Sequence, residues 1–86
     1  LPARAPWRVV IADESAANRA ILRGAVEAFD RRTEIVEVAD GAALVEALIA
    51  GEPDIAFLNV QLPDVTGAEA LAFARTKGLR TVAVLL

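Results

Sequence analysis

Residues 54–67 read Asp54-Ile55-Ala56-Phe57-Leu58-Asn59-Val60-Gln61-Leu62-Pro63-Asp64-Val65-Thr66-Gly67. The stretch from Asp54 to Asn59 is short and mostly apolar, the pattern of a strand buried on both faces. Val60 to Gly67 is a loop, punctuated by Pro63 and Gly67. Ala68 to Lys77 then reads as an amphipathic helix, closed by Gly78. Strand, loop, helix is the repeating unit of a parallel α/β sheet.

The same unit recurs upstream. Trp7 to Ala12 is a β-branched run read as a buried strand, and Asp13, Glu14 and Ser15 can each cap the helix that follows. That helix is predicted from Ala16 to Asp30, with Ile21, Leu22, Ala25 and Phe29 facing inward at helical spacing. Arg31 to Thr33 break it, and Glu34 to Ala39 reads as a second strand. Asp40-Gly41 is a turn. Ala42 to Ala50 is a short helix with Leu44, Ala47 and Leu48 inward, ended by Gly51 as a C′ glycine with Pro53 two residues later. Downstream, Thr81 to Leu86 is a fourth strand. The order βαβαβαβ predicts a parallel sheet covered by helices on both faces, joined by right-handed crossovers.

Composition narrows the classes of function. With 86 residues there is room for one domain, of marginal size. A hydrophobic fraction of 56% rules out disorder. Twelve acidic residues against nine basic ones give a net charge of −3 and no electrostatic reason to bind nucleic acid or an anionic membrane. Cysteine and histidine are both absent, which excludes thiolate chemistry and the commonest general base and zinc ligand. No apolar run approaches the ~18 residues of a membrane span, and no signal-peptide pattern opens the chain. A cytoplasmic setting is expected. Residues 1–7 form a Pro/Ala-rich lead-in, either a linker or a disordered end, ahead of a domain over 8–86. The chain opens on Leu1 and ends within the apolar run Val82 to Leu86, so it is expected to be a piece of a longer protein.

In an open parallel sheet, ligands bind beyond the carboxyl ends of the strands. The first strand ends in Asp13-Glu14 and the third in Asn59. Two carboxylates and an oxygen ligand from a neighbouring strand suit Mg²⁺; alternatively, Asp13 and Glu14 are helix caps favoured by the dipole. A dinucleotide-binding site would need Gly-x-Gly-x-x-Gly after the first strand, whereas Asp13 to Asn18 contains no glycine. A P-loop is missing there for the same reason. A phosphatase-type metal hydrolase through Asp13 is opposed by the neutral Asn59.

The order of these parts resembles the receiver domain of response regulators. That family's loop reads Asp-x-x-Met-Pro-x-x-x-Gly; here Asn59, Leu62, Pro63 and Gly67 fall at the matching offsets. Arg8 to Ser15 resembles the family's opening strand with its acidic pair, and Asn18 and Ala39-Asp40-Gly41 fit the pattern as well. The resemblance covers about Arg8 to Leu86. It implies an α/β, flavodoxin-like (CheY-like) doubly wound parallel sheet of strand order 2-1-3-4-5, truncated here after the fourth strand. It also implies a metal position at Asp13, Glu14 and the backbone carbonyl of Gln61.

Two departures shape the functional expectation. The phospho-acceptor position holds Asn59, whose neutral amide lacks a charged nucleophilic oxygen. Losing that charge also weakens the Mg²⁺ site, leaving weak binding at most. The family's later hydroxyl residue and lysine would lie beyond Leu86. Asn59 is therefore read as native, in a pseudo-receiver that acts by contact and is no enzyme; as an engineered Asp→Asn change in a phosphorylatable receiver; or as a structural amide in an unrelated sheet. The expected partner is a histidine kinase or output domain, on the same or another protein. The apolar fourth strand is an exposed edge, to be covered by further chain or by a second copy as a homodimer.

Overall fold

A computed structural model describes residues 6–86, so Leu1 to Ala5 of the expected lead-in lie outside the described residues. Four strands form one parallel sheet: β1 (Arg8–Ala12), β2 (Glu34–Val38), β3 (Ile55–Leu58) and β4 (Val82–Leu85), in the order β2-β1-β3-β4. Between them run α1 (Ala16–Phe29), α2 (Gly41–Gly51) and α3 (Gly67–Arg75). This is the 2-1-3-4 portion of the flavodoxin-like order, and the element sequence is the expected one. The strands are each shorter than expected by one or two residues, because the ladder ends where flanking residues turn to cap helices or enter loops.

Strand alternation divides the sheet into two faces. On one, Val10, Ala12, Ala56 and Leu58 pack against Leu44 and Leu48 of α2 and Ala70 and Ala74 of α3, with Leu62 and Leu79 closing the ends. Leu44, Leu48 and Leu58 are wholly buried, and Ala47 packs against this core, as the spacing in α2 predicts. Buried Thr81 donates its hydroxyl to the Pro53 carbonyl at 2.6 Å, which satisfies it where the core ends.

The other face corrects the expected burial of α1. Leu22 and Val26 are half-buried, but Ile21 is 71% and Phe29 82% exposed, and Ala25 is exposed too. Ala25 and Phe29 instead line an open apolar groove of about 310 Å³ with Trp7, Val9, Ile55 and Phe57. Helical spacing finds the apolar stripe correctly. How much of it is covered depends on which neighbours flank the helix, and no described element closes this groove. Ion pairs secure α1 at its opposite side: Arg19 and Arg23 both reach Glu37 of β2, at 3.1 and 2.6 Å.

The end of α2 is a second correction. Gly51 is the last helical residue rather than the residue beyond it, and Glu52 takes the left-handed conformation, with φ 44° and ψ 59°. Pro53 disfavours the right-handed helical region for the residue before it, so the reversal falls on Glu52. A side chain with a Cβ is strained there by about 1 kcal/mol. Glu52→Gly is therefore expected to raise stability by roughly 0.5–1 kcal/mol. The readout is an upward shift of the urea midpoint at unchanged slope; an unchanged or lowered midpoint would contradict the strain.

Candidate functional site

β1 and β3 pair in parallel with Ala12 opposite Leu58. The next residues, Asp13 and Asn59, therefore stand side by side beyond the carboxyl ends of the two central strands. Backbone bonds extend the ladder by one step to hold them: Asn59 N–H to the Ala12 carbonyl at 2.9 Å, and Asp13 N–H to the Val38 carbonyl at 3.1 Å. On the far side, Val60 N–H donates to the Leu86 carbonyl at 3.1 Å. Asp13, Asn18, Ile21, Leu22, Asn59 and Leu86 line one open cleft of about 310 Å³.

Asp13 is 7% exposed and its carboxylate is already engaged. Oδ1 accepts from Ser15 N–H at 2.9 Å and Oδ2 from the Asn18 amide at 3.3 Å. Its backbone carbonyl accepts from Arg19 Nη1 at 2.6 Å. Ser15, and neither acid, is the N-cap of α1, with its hydroxyl accepting from Asn18 N–H at 3.2 Å. Asn59 Oδ1 accepts from Gln61 N–H at 3.2 Å, which folds the side chain back onto its own loop. Glu14 and Gln61 are exposed, and Gln61 meets the site through its N–H on Asn59. The fold thus brings Asp13, Asn18 and Asn59 to one cleft, with Gln61 bonded to Asn59.

These donors suit a hard cation in kind, since all are oxygens. They are short of charge. Among the described residues no three acidic, histidine or cysteine side chains gather into a metal-binding group. The Arg19 guanidinium on the Asp13 carbonyl adds positive charge close to the site.

The loop after β3 is tightly built. Gly67 N–H donates to the Val60 carbonyl at 2.9 Å and Leu62 N–H to the Val65 carbonyl at 3.1 Å. Leu62 is buried in the core. A Cβ on Gly67 would overlap the Asn59 carbonyl oxygen, so glycine is required where α3 starts beneath the site. Thr66 and Glu69 then form a reciprocal capping box for α3. Asp64, to which the sequence reading gives no role, reaches across to α2: its carboxylate accepts from Gly41 N–H at 2.7 Å and Ala42 N–H at 3.0 Å. The Gly41 bond is the main reason its carboxyl lies below the usual range. Arg19 and Leu86 are the other site residues that motif reading does not single out. Their roles come from pairing with β2 and β3, which a linear reading does not show.

Comparison with known proteins agrees with this architecture. The model of the response regulator receiver domain family matches residues 9–86. Stress response regulator protein 1 of Candida tropicalis is 32% identical over 76 residues, which are 88% of this chain and 29% of that protein. The signal receiver domain of the response regulator NarL from Mycobacterium tuberculosis superposes with a TM-score of 0.84 at 31% identity, covering 95% of this chain and 66% of that one. Full-length ShkA, solved in complex with AMPPNP, gives a TM-score of 0.83 at 28% identity over 96% of this chain and 18% of its own. The chain spans less than two thirds of the length of each of these relatives.

Three carboxylates in and around the site are held below their ordinary range: Glu37 by Arg23 and then Arg19, Asp64 by backbone amides led by Gly41, and Glu69 by Thr66. Each is stabilising when ionised. The stabilisation is complete above the unfolded-chain values and is lost as pH falls through the lower, folded ones. The urea midpoint is therefore expected to hold from neutrality to about pH 5 and to fall below about pH 4. Asp64→Asn should flatten that fall; an equally steep fall in the variant would show that the Asp64 carboxylate carries none of it.

Proposed function

The chain belongs to the response regulator receiver domain family, and from that premise we propose that it is a pseudo-receiver, a regulatory module of two-component signalling that works by contact rather than by carrying phosphate. One observation carries the reading: the residue beside Asp13 at the end of β3, where the family's loop places its phospho-acceptor, is Asn59. Phosphoryl transfer needs an oxygen with an available electron pair and negative charge to attack phosphorus. The amide of Asn59 is neutral, and its oxygen already accepts the Gln61 N–H.

Where a receiver domain holds Mg²⁺, the ion supplies charge neutralisation for a phosphoryl group. In this chain Asp13, Glu14 and the Gln61 backbone carbonyl would hold it. Asp13 would have to share its carboxylate with Ser15 and Asn18, and the neutral Asn59 contributes no charge. These features support weak binding, in the millimolar range or weaker. In our reading the partner is a histidine kinase or output domain, the 1–7 segment serves as a linker to it, and the module is cytoplasmic and has no catalytic role of its own. Support for a partner comes from the relatives, which are longer than this chain.

Incubation with radiolabelled acetyl phosphate and Mg²⁺ is expected to leave the domain without alkali-labile phosphate, while calorimetry of the same sample finds no micromolar Mg²⁺ affinity. A label on the domain would defeat the pseudo-receiver reading, and tight Mg²⁺ binding would defeat the account of the site's charge.

The 8–86 unit is also proposed to be an incomplete domain. Support comes from β4, an edge strand with Val82, Val84 and Leu85 exposed at 45, 37 and 47%, and from the open groove beside α1. Unpaired strand edges of this kind invite another strand. Sedimentation of the 86-residue chain is expected to show concentration-dependent association; a monomer that stays well folded at high concentration would refute the incompleteness.

A further inference from the structure

The N-terminus of α2 is capped twice. Its own N-cap, Asp40, accepts from Ala43 N–H at 2.7 Å. The two preceding amides, Gly41 and Ala42, are taken by Asp64, which lies 23 and 22 residues away in the loop after β3. Two carboxylates from different parts of the chain thus satisfy the first three amides of one helix, groups that a helix cannot satisfy itself. Asp64 Oδ1 also accepts from Val65 N–H at 3.0 Å, which ties the carboxylate back to its own loop. The seat is close-packed: a Cβ on Gly41 would overlap Val65 and come within 3.0 Å of the Asp64 carboxylate.

We propose that Asp64 is a latch that joins the 59–67 loop to α2, so that the two segments hold or release together. The loop carries Asn59 and Gln61 at one end and buries Leu62 in the core. Its remaining backbone ties are internal to residues 59–67, apart from the β1 bond of Asn59 N–H to the Ala12 carbonyl, the β4 contact at Val60 and the seat of α3. Asp64 is its one polar link to α2 among the described residues. A charge-assisted pair of bonds to backbone amides is stronger and more directional than a neutral contact. Whatever engages the loop beside the cleft is therefore felt at α2, and contact at the start of α2 is felt in the loop, by the reciprocity of coupled equilibria. Asp64 acts here as a positioning residue. The latch is independent of whether Asn59 accepts phosphate, since it needs neither metal nor phosphoryl group.

Backbone amide hydrogen exchange on the intact 86-residue chain tests it. In Asp64→Ala, Gly41 and Ala42 lose their acceptor and exchange faster under either a latch or a simple cap. The deciding amides are Leu62 and Gly67, which bond to Val65 and Val60 and never touch Asp64. The latch predicts that their protection falls about tenfold or more, while Ile11 in β1 is unchanged. Asp64→Glu, which keeps the charge but lengthens the side chain, gives a milder variant should Asp64→Ala unfold. It is expected to shift the same amides in the same direction. Gly41→Ala approaches from the other side: with Asp64 intact, the added Cβ should displace Val65 and loosen Leu62 and Gly67. Unchanged exchange at Leu62 and Gly67 in the folded variants would overturn the latch and leave Asp64 as a cap of α2 alone.

Discussion

The parallel pairing of β1 with β2 along one edge and β3 along the other is the constraint from which the rest follows. A central strand must satisfy its backbone on both sides and bury both faces. Val9 to Ala12 therefore consists of apolar side chains, each at most 3% exposed. The ladder ends one step past Ala12, where Asp13 N–H still bonds the Val38 carbonyl but its carboxylate turns to Ser15 N–H and the chain enters α1. The last laddered residue after β1 thus meets Asn59, the last laddered residue after β3. Polarity accumulates at that point because it is the first place where polar groups can be hydrated or bonded. The cleft is a product of strand pairing before it is a product of any motif.

Charge then decides what the cleft can do. The Asp13 carboxylate at the end of β1 and the Asn59 amide at the end of β3 place one negative charge and one neutral oxygen side by side in the cleft. The Asp13 carboxylate is held by Ser15 and Asn18, and the Asn59 oxygen by Gln61 N–H, so both groups are satisfied without a ligand. Among the described residues no buried side-chain polar atom lacks a partner. An aspartate at position 59 would sit beside the nearly buried Asp13 carboxylate, and like charges that close raise each other's pKa unless a cation intervenes. The amide removes that repulsion. The polar groups of the site are satisfied as they stand.

Much of this was readable from residue order, and the exceptions share a cause. The element sequence follows from apolar runs of strand length alternating with helical spacing, and both the paired acids and Asn59 sit where such strands end. The burial of α1 does not follow, because Ile21, Ala25 and Phe29 have the spacing of a buried stripe whether or not something covers it. The end of α2 lies one residue beyond its sequence signal, since Gly51 looks like a C′ glycine while the reversal falls on Glu52. Asp64 went unrecognised because its partners are 22 and 23 residues away. Local signals such as caps, turns and periodicity are legible in a sequence. Bonds that close only after the sheet assembles are not.

The two glycines that frame the loop show how these levels join. Gly67 is required because the Asn59 carbonyl occupies the space of its Cβ, while at Gly41 the Val65 and Asp64 side chains stand where a Cβ would lie. The first contact sets α3 directly beneath the end of β3, and the second sets α2 against the loop between them. Since α2 and α3 together cover one face of the sheet, a shift at either glycine would move a helix that half the core depends on. Interiors packed at this density do not absorb such shifts gradually. The geometry around Asn59 is therefore set by the same contacts that hold the core, with a neutral amide at its centre.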